Sequence, residues 1–282
     1  MKRCVFTLLI VLFSVSYVIS QNREIKIIPE PVEVKTGKGS FVINAGTVVV
    51  AEGKDSRLAG IRQWFLQRLS SSTGLKIKSA GKADKNAVVL SLLPQFDKAL
   101  GEEGYHLEVT PSLINISANK PAGIFYGLQT LLQLLPPEVN SPTPVTGIAW
   151  NVPSVQITDY PRFGWRGILL DVSRHFFSKE EVLHFIDEIA LYKYNLLHLH
   201  LTDDNGWRIE IKSLPRLTEF GAWRVERTGR WGTFTPPLVY EPTTYGGFYT
   251  QDDIKEIVAY ASDRFVNILP EIDVPAHSLA LI

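Results

Sequence analysis

Four side chains that can transfer protons or bind metals lie close together in the second half of the chain: His198, His200, Asp203 and Asp204. The apolar run 196–201 around the histidines predicts a buried β-strand, because short apolar runs bounded by polar and glycine residues are typical of such strands. The aspartates follow where the strand ends. In folds with parallel strands, that carboxyl end is where catalytic groups usually lie. This stretch is therefore the first candidate for a functional site.

Two further apolar runs end in a similar way. The run 167–172 predicts a strand buried on both faces, and the run 266–273 predicts another buried strand. The carboxyl ends of parallel strands meet at one edge of a sheet, so we expect a single polar pocket built from all three endings. Its candidate residues are Asp171, Ser173, Arg174, His175, His200, Asp203, Asp204, Glu271, Asp273 and His277.

Helices separate the three predicted strands. Ser178, with Glu181 three residues later, opens one helix as a capping box, and Thr250 with Asp253 caps another. The order strand, helix, strand, helix, strand predicts a parallel sheet with right-handed crossovers, which is an α/β fold. A TIM barrel, (β/α)8, needs about eight such units. Residues 156–282 therefore predict an incomplete TIM barrel of about three units.

Residues 21–155 predict a separate N-terminal domain of mixed α+β type. Short β-rich runs alternate there with glycine, proline and lysine clusters. Apolar residues at helical spacing predict helices over 58–70 and 122–135. A proline-rich connection over 142–153 precedes the predicted barrel. This region gathers no catalytic pattern of acids, histidines or glycines, so we expect a packing or scaffolding domain.

Residues 1–20 predict a secretory signal peptide. Lys2 and Arg3 precede an apolar centre over 5–13, and small or apolar residues before Gln21 suit cleavage. We therefore expect a secreted or periplasmic protein without a membrane span in its mature chain. The alternative is an uncleaved N-terminal anchor. Cys4 is the only cysteine, so the mature chain would have no disulfide, cysteine nucleophile or cysteine-bound metal.

Composition narrows the class of partner. The 282 residues carry 29 basic and 29 acidic side chains, and this balance argues against nucleic acid or an anionic membrane surface as a partner. The apolar fraction of 45% and the charged fraction of 21% fit a soluble globular protein with a substantial core.

Three features of the predicted pocket allow two interpretations each. His198 and His200 point to the same side of their strand, so they are either a metal-binding pair or hydrogen-bonded core histidines. Arg174 either binds hydroxyls or a carboxylate of a ligand, or forms an ion pair with Asp171 or Asp203. The loop from about 220 to 249 either stacks aromatic rings on a sugar or packs them on its own domain. The aromatic residues in question are Trp223, Trp231, Tyr240, Tyr245 and Tyr249.

Four segments together resemble the β-N-acetylhexosaminidases of glycoside hydrolase family 20. They are RGILLDVSRHFF (166–177), LHLHLTDDNGWRIEI (197–211), GGFYTQDDIKEIVAYA (246–261) and ILPEIDVPAH (268–277). The preceding domain resembles, more loosely, the α/β domain that stands before the catalytic barrel in this family. The resemblance implies a TIM-barrel enzyme that removes terminal N-acetylglucosamine or N-acetylgalactosamine from glycans with retention. It implies no metal and no organic cofactor.

The resemblance also implies roles for individual residues. Arg174 would hold hydroxyls of the terminal sugar, and Asp203 with His277 would form a dyad behind the general acid. We expect His200, Glu271 and Asp273 to contribute to substrate binding. In this family the acetamido oxygen of the substrate attacks the anomeric carbon, which is an exception to the usual scheme with two carboxylates.

Two departures from the family pattern stand out. Ala276 lies where the family usually has glycine, and alanine would be strained by about 1 kcal/mol if that position needed a positive φ. The catalytic Asp-Glu pair of the family lies on the fourth barrel strand, beyond residue 282, and Asp203-Asp204 is not that pair. We therefore expect the chain by itself to be inactive and to expose an apolar sheet edge. A metal-dependent hydrolase and a non-catalytic glycan-binding fragment are the alternatives.

Overall fold

The computed structural model describes residues 25–227 and 237–282. The predicted signal peptide and Trp231 lie outside these ranges. Among the described residues, no helix is long and apolar enough to cross a membrane.

The first part of the chain forms a seven-stranded mixed sheet. Its strands are β1 (Glu33–Val42), β2 (Val48–Glu52), β3 (Lys78–Ala80), β4 (Ala87–Leu92), β5 (Tyr105–Val109), β6 (Leu113–Ala118) and β7 (Asn151–Asp159). Their spatial order is β1-β7-β5-β6-β4-β2-β3. β6, β4, β2 and β3 pair in parallel, whereas β1, β7, β5 and β6 pair antiparallel. β7 runs across the predicted domain boundary at residue 155, so this sheet continues to Asp159.

Two helices pack on this sheet. They are α1 (Arg57–Thr73) and α2 (Pro121–Leu134), close to the predicted helices over 58–70 and 122–135. α1 ends at Gly74, whose positive φ of 70° is accessible to glycine without steric cost. α2 begins with Pro121, which suits a first helical position, and its side chains are buried over nearly the whole length. A short 3-10 helix, Pro137–Asn140, follows.

The second part of the chain contains the predicted strand–helix array. Its elements are β8 (Gly167–Asp171), α3 (Lys179–Leu191), β9 (Leu196–His200), β10 (Thr202–Asp203), β11 (Gly206–Trp207), α4 (Arg216–Glu219), β12 (Trp223–Arg224), β13 (Tyr245–Gly246), α5 (Gln251–Ser262) and β14 (Asn267–Glu271). β8, β9 and β14 form one parallel sheet with β9 in the centre. Both predicted capping boxes are present, at Ser178 and at Thr250.

Burial of the three parallel strands differs from the sequence-based prediction. Only β9 is deeply buried, through Leu197 and Leu199 on its helix-facing side. β8 and β14 are the edges of the described sheet, so the predictions that β8 is buried on both faces and that β14 is a buried strand were wrong. Leu169 and Leu269 lie in register with each other across His198 and are 51% and 37% exposed. The described sheet therefore exposes two leucines, beside His198, on its face opposite the helices.

A buried polar cluster links the two parts of the chain. The Lys193 ammonium, in the turn between α3 and β9, lies 2.7 Å from Asp159 Oδ2 at the end of β7. Lys193 also donates to the Tyr105 hydroxyl at 2.9 Å, and Tyr105 in turn contacts Thr130 and Asp159. Burial, the largest influence, lowers the pKa of Lys193, and the Asp159 carboxylate opposes that effect. The two sheets thus meet around a paired charge as well as a shared apolar core.

Candidate active site

The carboxyl ends of the three parallel strands meet at one edge, as the strand order predicted. Asp171, His200 and Glu271 occupy the same register position on β8, β9 and β14. Neighbouring parallel strands lie about 4.8 Å apart, so these three side chains form one row. This row of side chains forms the floor of the candidate site.

Asp203 lies at the centre of that site and is 2% exposed. Its position follows from a tight hairpin in which β10 and β11 pair antiparallel around Asp204-Asn205. Asp203 Oδ2 lies 2.8 Å from His200 Nε2 and 2.6 Å from an Arg174 guanidinium nitrogen. Asp203 Oδ1 accepts a hydrogen bond from its neighbour's backbone N–H at 2.7 Å and lies 3.4 Å from His277 Nδ1. One buried carboxylate therefore contacts residues from all three strand endings.

These contacts shift the pKa values of Asp203 and His200 in opposite directions. Burial of Asp203 favours its neutral form, but the hydrogen bonds from His200 and from the Asp204 backbone, with the Arg174 charge, outweigh burial and lower its pKa. Burial also disfavours the charged form of His200, but the carboxylates of Asp203 and Glu271 outweigh it and raise its pKa. The geometry therefore favours an imidazolium–carboxylate pair at the centre of the site.

The two histidines of β9 share one carboxylate. Glu271 Oε2 lies 2.7 Å from His198 Nε2 and 3.0 Å from His200 Nδ1. Among the described residues, two groups of side chains could each supply ligands to a metal ion, because the ligand-type atoms within each group lie within 4.8 Å of one another. Neither group contains His198. The two groups are His200, Glu271 and Asp273, and Asp203, Asp204 and His277. Each histidine is thus paired with a carboxylate of the protein, and among the described residues the two histidines do not share one group of ligand-type atoms.

Arg174 forms both of the ion pairs considered for it. Its guanidinium lies 2.8 Å from Asp171 Oδ2 and 2.6 Å from Asp203 Oδ2, and its side chain is 36% exposed. The hydrogen bond to Asp171 is the largest cause that raises the pKa of Arg174. The two carboxylates orient the guanidinium plane, and its remaining N–H groups can serve a ligand at the edge of the sheet.

A buried arginine, Arg208, escaped the sequence analysis although it lies in the motif after Asp203. Its side chain is fully buried, and burial lowers its pKa to about 10. The guanidinium donates to five backbone oxygens, of Val172, Ser173, Asn205, Ala222 and Gly247. A charged residue between apolar Trp207 and Ile209 was the available signal.

Arg208 connects the loops that carry the candidate site. Two of its acceptors directly precede Arg174 in the chain, and another belongs to the hairpin turn that follows Asp203. A Cβ atom at Gly206 would overlap the Arg208 guanidinium, which explains the glycine at this position. Arg208 therefore positions Arg174 and Asp203 relative to each other without reaching the open face of the site.

Family models match both parts of the chain. The model described as glycosyl hydrolase family 20, domain 2, matches residues 24–160, and the one described as glycosyl hydrolase family 20, catalytic domain, matches residues 163–282. The chain belongs to glycosyl hydrolase family 20. The expected family resemblance is confirmed.

The chain is also similar in sequence and in structure to individual members of family 20. The chain is 40% identical over 261 residues to a β-hexosaminidase of Porphyromonas gingivalis, covering 92% of this chain and 31% of that protein. It is 38% identical to a β-hexosaminidase of Vibrio furnissii, with 92% and 39% covered. Its fold matches the family 20 β-N-acetylhexosaminidase of Streptomyces coelicolor A3(2) with a TM-score of 0.78 and 38% identity, covering 90% of this chain and 47% of that one. The chain thus spans between about a third and a half of the length of these relatives.

The position that departs from the usual family 20 motif is not strained. Ala276 does not have a positive φ; the left-handed conformation falls on the next residue, His277, with a φ of 52°. The strain considered for alanine is therefore absent, and the conformational cost lies on His277, whose side chain is 55% exposed.

The aromatic residues of the long loop divide between the two interpretations. Tyr249 is buried and donates its hydroxyl to the Phe177 carbonyl, which is a packing role. Tyr245 contacts His175 at 2.5 Å and lies beneath the Arg224 guanidinium, beside the candidate site. Trp223 and Tyr240 are 39% and 82% exposed. In the part of the loop that the structure describes, Tyr245 thus contacts one of the candidate site residues, His175.

Proposed function

We propose that this chain forms the substrate-facing part of an exo-acting β-N-acetylhexosaminidase that removes terminal N-acetylglucosamine or N-acetylgalactosamine from glycans. The observation that carries the proposal is the buried Asp203 carboxylate, in contact with Arg174, His200 and His277 at the carboxyl edge of the sheet. The relatives named above as β-hexosaminidases support the same activity. The reaction would be retaining hydrolysis assisted by the substrate's acetamido group.

Each residue of this arrangement has a proposed role. Arg174, fixed by two carboxylates, would donate its free N–H groups to hydroxyls of the terminal sugar. Asp203 would orient His277, so that His277 can stabilise a general acid in front of it. His277 is half exposed and lies at the rim, where such an acid can approach it.

The remaining predicted substrate-binding residues lie at different depths. Glu271 contacts both histidines of β9, which supports a role in fixing His200 for the pocket floor. The backbone N–H of Asp273 donates to Thr202 Oγ1 at 2.9 Å, and this bond holds the third strand ending against the second. We propose that Asp273 and His200 shape the binding edge and that Glu271 supports them from below.

We propose that the catalytic acid and the acetamido-orienting aspartate lie outside residues 1–282. The described part of the second domain has three parallel strands, so it would supply about three of the eight units of a TIM barrel. The first domain would extend to about residue 160, because β7 belongs to its sheet. The predicted signal peptide supports a secreted or periplasmic location.

Hydrolysis of a chromogenic N-acetyl-β-glucosaminide tests this proposal. The 282-residue chain would be assayed beside a protein that continues into the downstream sequence of the same gene. We expect turnover only in the longer protein and a loss of about 100-fold or more in kcat/KM on Arg174→Ala, since substrate orientation is a large part of catalysis. Asp252→Ala, in an exposed ion pair on α5, is the matched control and should leave the rate unchanged.

Two results would contradict the proposal. Turnover by the short chain would mean that carboxylates already present perform the chemistry and that Asp203 has more than a supporting role. Saturable binding of N-acetylhexosamine without turnover in the longer protein would favour the glycan-binding alternative. A metal-dependent hydrolase is not favoured, because both parts of the chain match family 20 models and because, among the described residues, His198 belongs to neither group of ligand-type atoms.

A further inference from the structure

A cavity of about 390 Å³ lies between the two parts of the chain, away from the carboxyl edge of the parallel sheet. Helices α1 and α2 line one side, and α3 and α5 line the other. It shares no residue with the candidate active site. Ligand pockets typically measure about 300–1,000 Å³ and often lie at domain interfaces, so the size and place of this cavity suit a small ligand.

A carboxamide that has no hydrogen-bond partner among the described residues lines this cavity. Gln129 on α2 is 2% exposed and lines the cavity wall. Among the described residues, its side chain has no hydrogen-bond partner, although Gln133 one turn later bonds the backbone of Ile28 and Leu191. The Gln129 amide nitrogen and oxygen are nevertheless accessible from the cavity. Gln129 therefore offers two donors and one acceptor oxygen to whatever occupies the cavity.

The aromatic side chain of Trp64 lines the α1 side of the cavity. The Trp64 ring packs against Phe125 with centroids 4.8 Å apart and is half-buried. Among the described groups, the Trp64 indole N–H has no hydrogen-bond partner either. A flat apolar ring with a free donor at its edge suits a ligand with a C–H face and hydroxyls at its rim.

The charges around the cavity are mostly paired within the protein. Asp187 on α3 accepts from the Tyr260 hydroxyl at 2.8 Å and forms an ion pair with Arg264. Arg68 donates to Asn140 at 2.8 Å. Two basic residues, Arg68 and Arg264, balance two acids, Asp187 and Glu188. The cavity therefore favours a neutral polar ligand over a phosphate or a cation.

We propose that this cavity is a second carbohydrate site, which binds one pyranose unit of a neutral glycan. The Gln129 carboxamide would donate to and accept from the ring substituents, and Trp64 would cover the C–H face. Planar amides match adjacent hydroxyl or acetamido groups because they offer a donor and an acceptor side by side. This site is separate from the proposed hydrolase site and does not depend on it.

Amide chemical-shift mapping on the 282-residue chain, with methyl β-N-acetylglucosaminide as the probe, tests this inference. We expect saturable shifts in α1, α2 and α3 around Trp64 and Gln129, with the same dissociation constant in the Arg174→Ala variant. Gln129→Met keeps the length of the side chain but removes its hydrogen bonds, so binding should weaken about tenfold or more. Gln63→Met, on the exposed side of α1, is the matched control and should bind as the unaltered chain does.

Trp64→Phe provides a second variant in case Gln129→Met unfolds, because phenylalanine preserves the packing on Phe125. It too should weaken binding. The proposal is overturned if shifts map only to the Arg174 edge, or if both variants bind the probe as the unaltered chain does. It is also overturned if a crystal soaked with the probe shows Gln129 bonded to water alone.

Discussion

At the scale of single residues, positive and negative side chains alternate around Asp203 in the candidate site. Arg174 and His200 lie on one of its oxygens, and Glu271 lies beyond His200. Because Asp203 and His200 are both buried, each depends on the other for its charged form. The geometry of the site therefore depends on the charge states of these residues, and so on the pH.

This coupling predicts how stability depends on pH. In an unfolded chain, aspartate titrates at about pH 4 and histidine at about pH 6.5. The lowered pKa of folded Asp203 contributes stability above about pH 4, and that stability is lost as the pH falls through the folded pKa. The raised pKa of folded His200 contributes stability below about pH 6.5, and that stability is lost as the pH rises through the folded pKa.

Urea unfolding from pH 3 to 9 measures this effect on the chain and on its His200→Asn variant. We expect the difference in unfolding free energy between the two to be largest from about pH 4 to 6.5 and to shrink on both sides. His184→Asn is the matched control, because the His184 side chain is 75% exposed. A difference for His200→Asn that stayed constant over the whole range would show that no charged pair forms.

At the scale of elements, loops rather than strands position Arg174 and Asp203 in the candidate site. The predicted strands differ from β8, β9 and β14 by no more than two residues at either end, but Arg174 and Asp203 both lie beyond a strand of the sheet. Arg208 ties their loops together through backbone carbonyls. A buried cation surrounded by carbonyl dipoles can hold several loops at once, because a guanidinium has five donors in one plane.

Arg208→Met should therefore destabilise the chain and loosen the site. Removing the guanidinium leaves several buried carbonyls without a donor, so we expect a loss of about 3 kcal/mol in unfolding free energy. Hydrogen exchange should accelerate in the loops around Ser173, Asn205 and Gly247 before it does in β9. Arg216→Met, at an exposed site on α4, is the control. Unchanged exchange in those loops would refute the positioning role.

At the scale of the whole molecule, the two sheets share one continuous core and one buried ion pair. Lys193 reaches from the second part of the chain to Asp159 and Tyr105 in the first. An isolated buried charge is far more costly than a paired one. The pair therefore favours one fixed arrangement of the two sheets.

A double-mutant cycle on Lys193→Met and Asp159→Asn tests this connection. Each single change leaves a buried charge unpaired and should cost about 3 kcal/mol of unfolding free energy. The double variant should be less destabilised than the sum of the two, with a coupling energy above about 1.5 kcal/mol. The exposed pair Lys255 and Asp252 provides the control cycle and should show little coupling. Additive effects at Lys193 and Asp159 would contradict this interpretation.

The face of the parallel sheet opposite its helices leads to a prediction of self-association. Leu169 and Leu269 are exposed on that face, and β8 and β14 pair with only one described strand each. Exposed apolar edge strands promote pairing between chains. We expect sedimentation velocity to show concentration-dependent association that Leu169→Glu reduces. Leu238→Glu, at a comparably exposed loop position, should not reduce it. Equal association in both variants would place the contact elsewhere.

The sequence by itself determined the order of the elements and the edge at which the site lies. Apolar periodicity and capping boxes are local signals, so the strands around His200 and the helices after Ser178 and Thr250 could be predicted within a few residues. The meeting of Asp171, His200 and Glu271 followed from the rule that parallel strands end at one edge.

Only the tertiary structure decided which partner each of these groups takes. Contacts such as Glu271 with two histidines, or Arg208 with five carbonyls, join residues far apart in the chain, and no local pattern encodes them. Burial of β8 and β14 was predicted wrongly for the same reason: an apolar strand is buried only where another element covers it, and that depends on its neighbours in space.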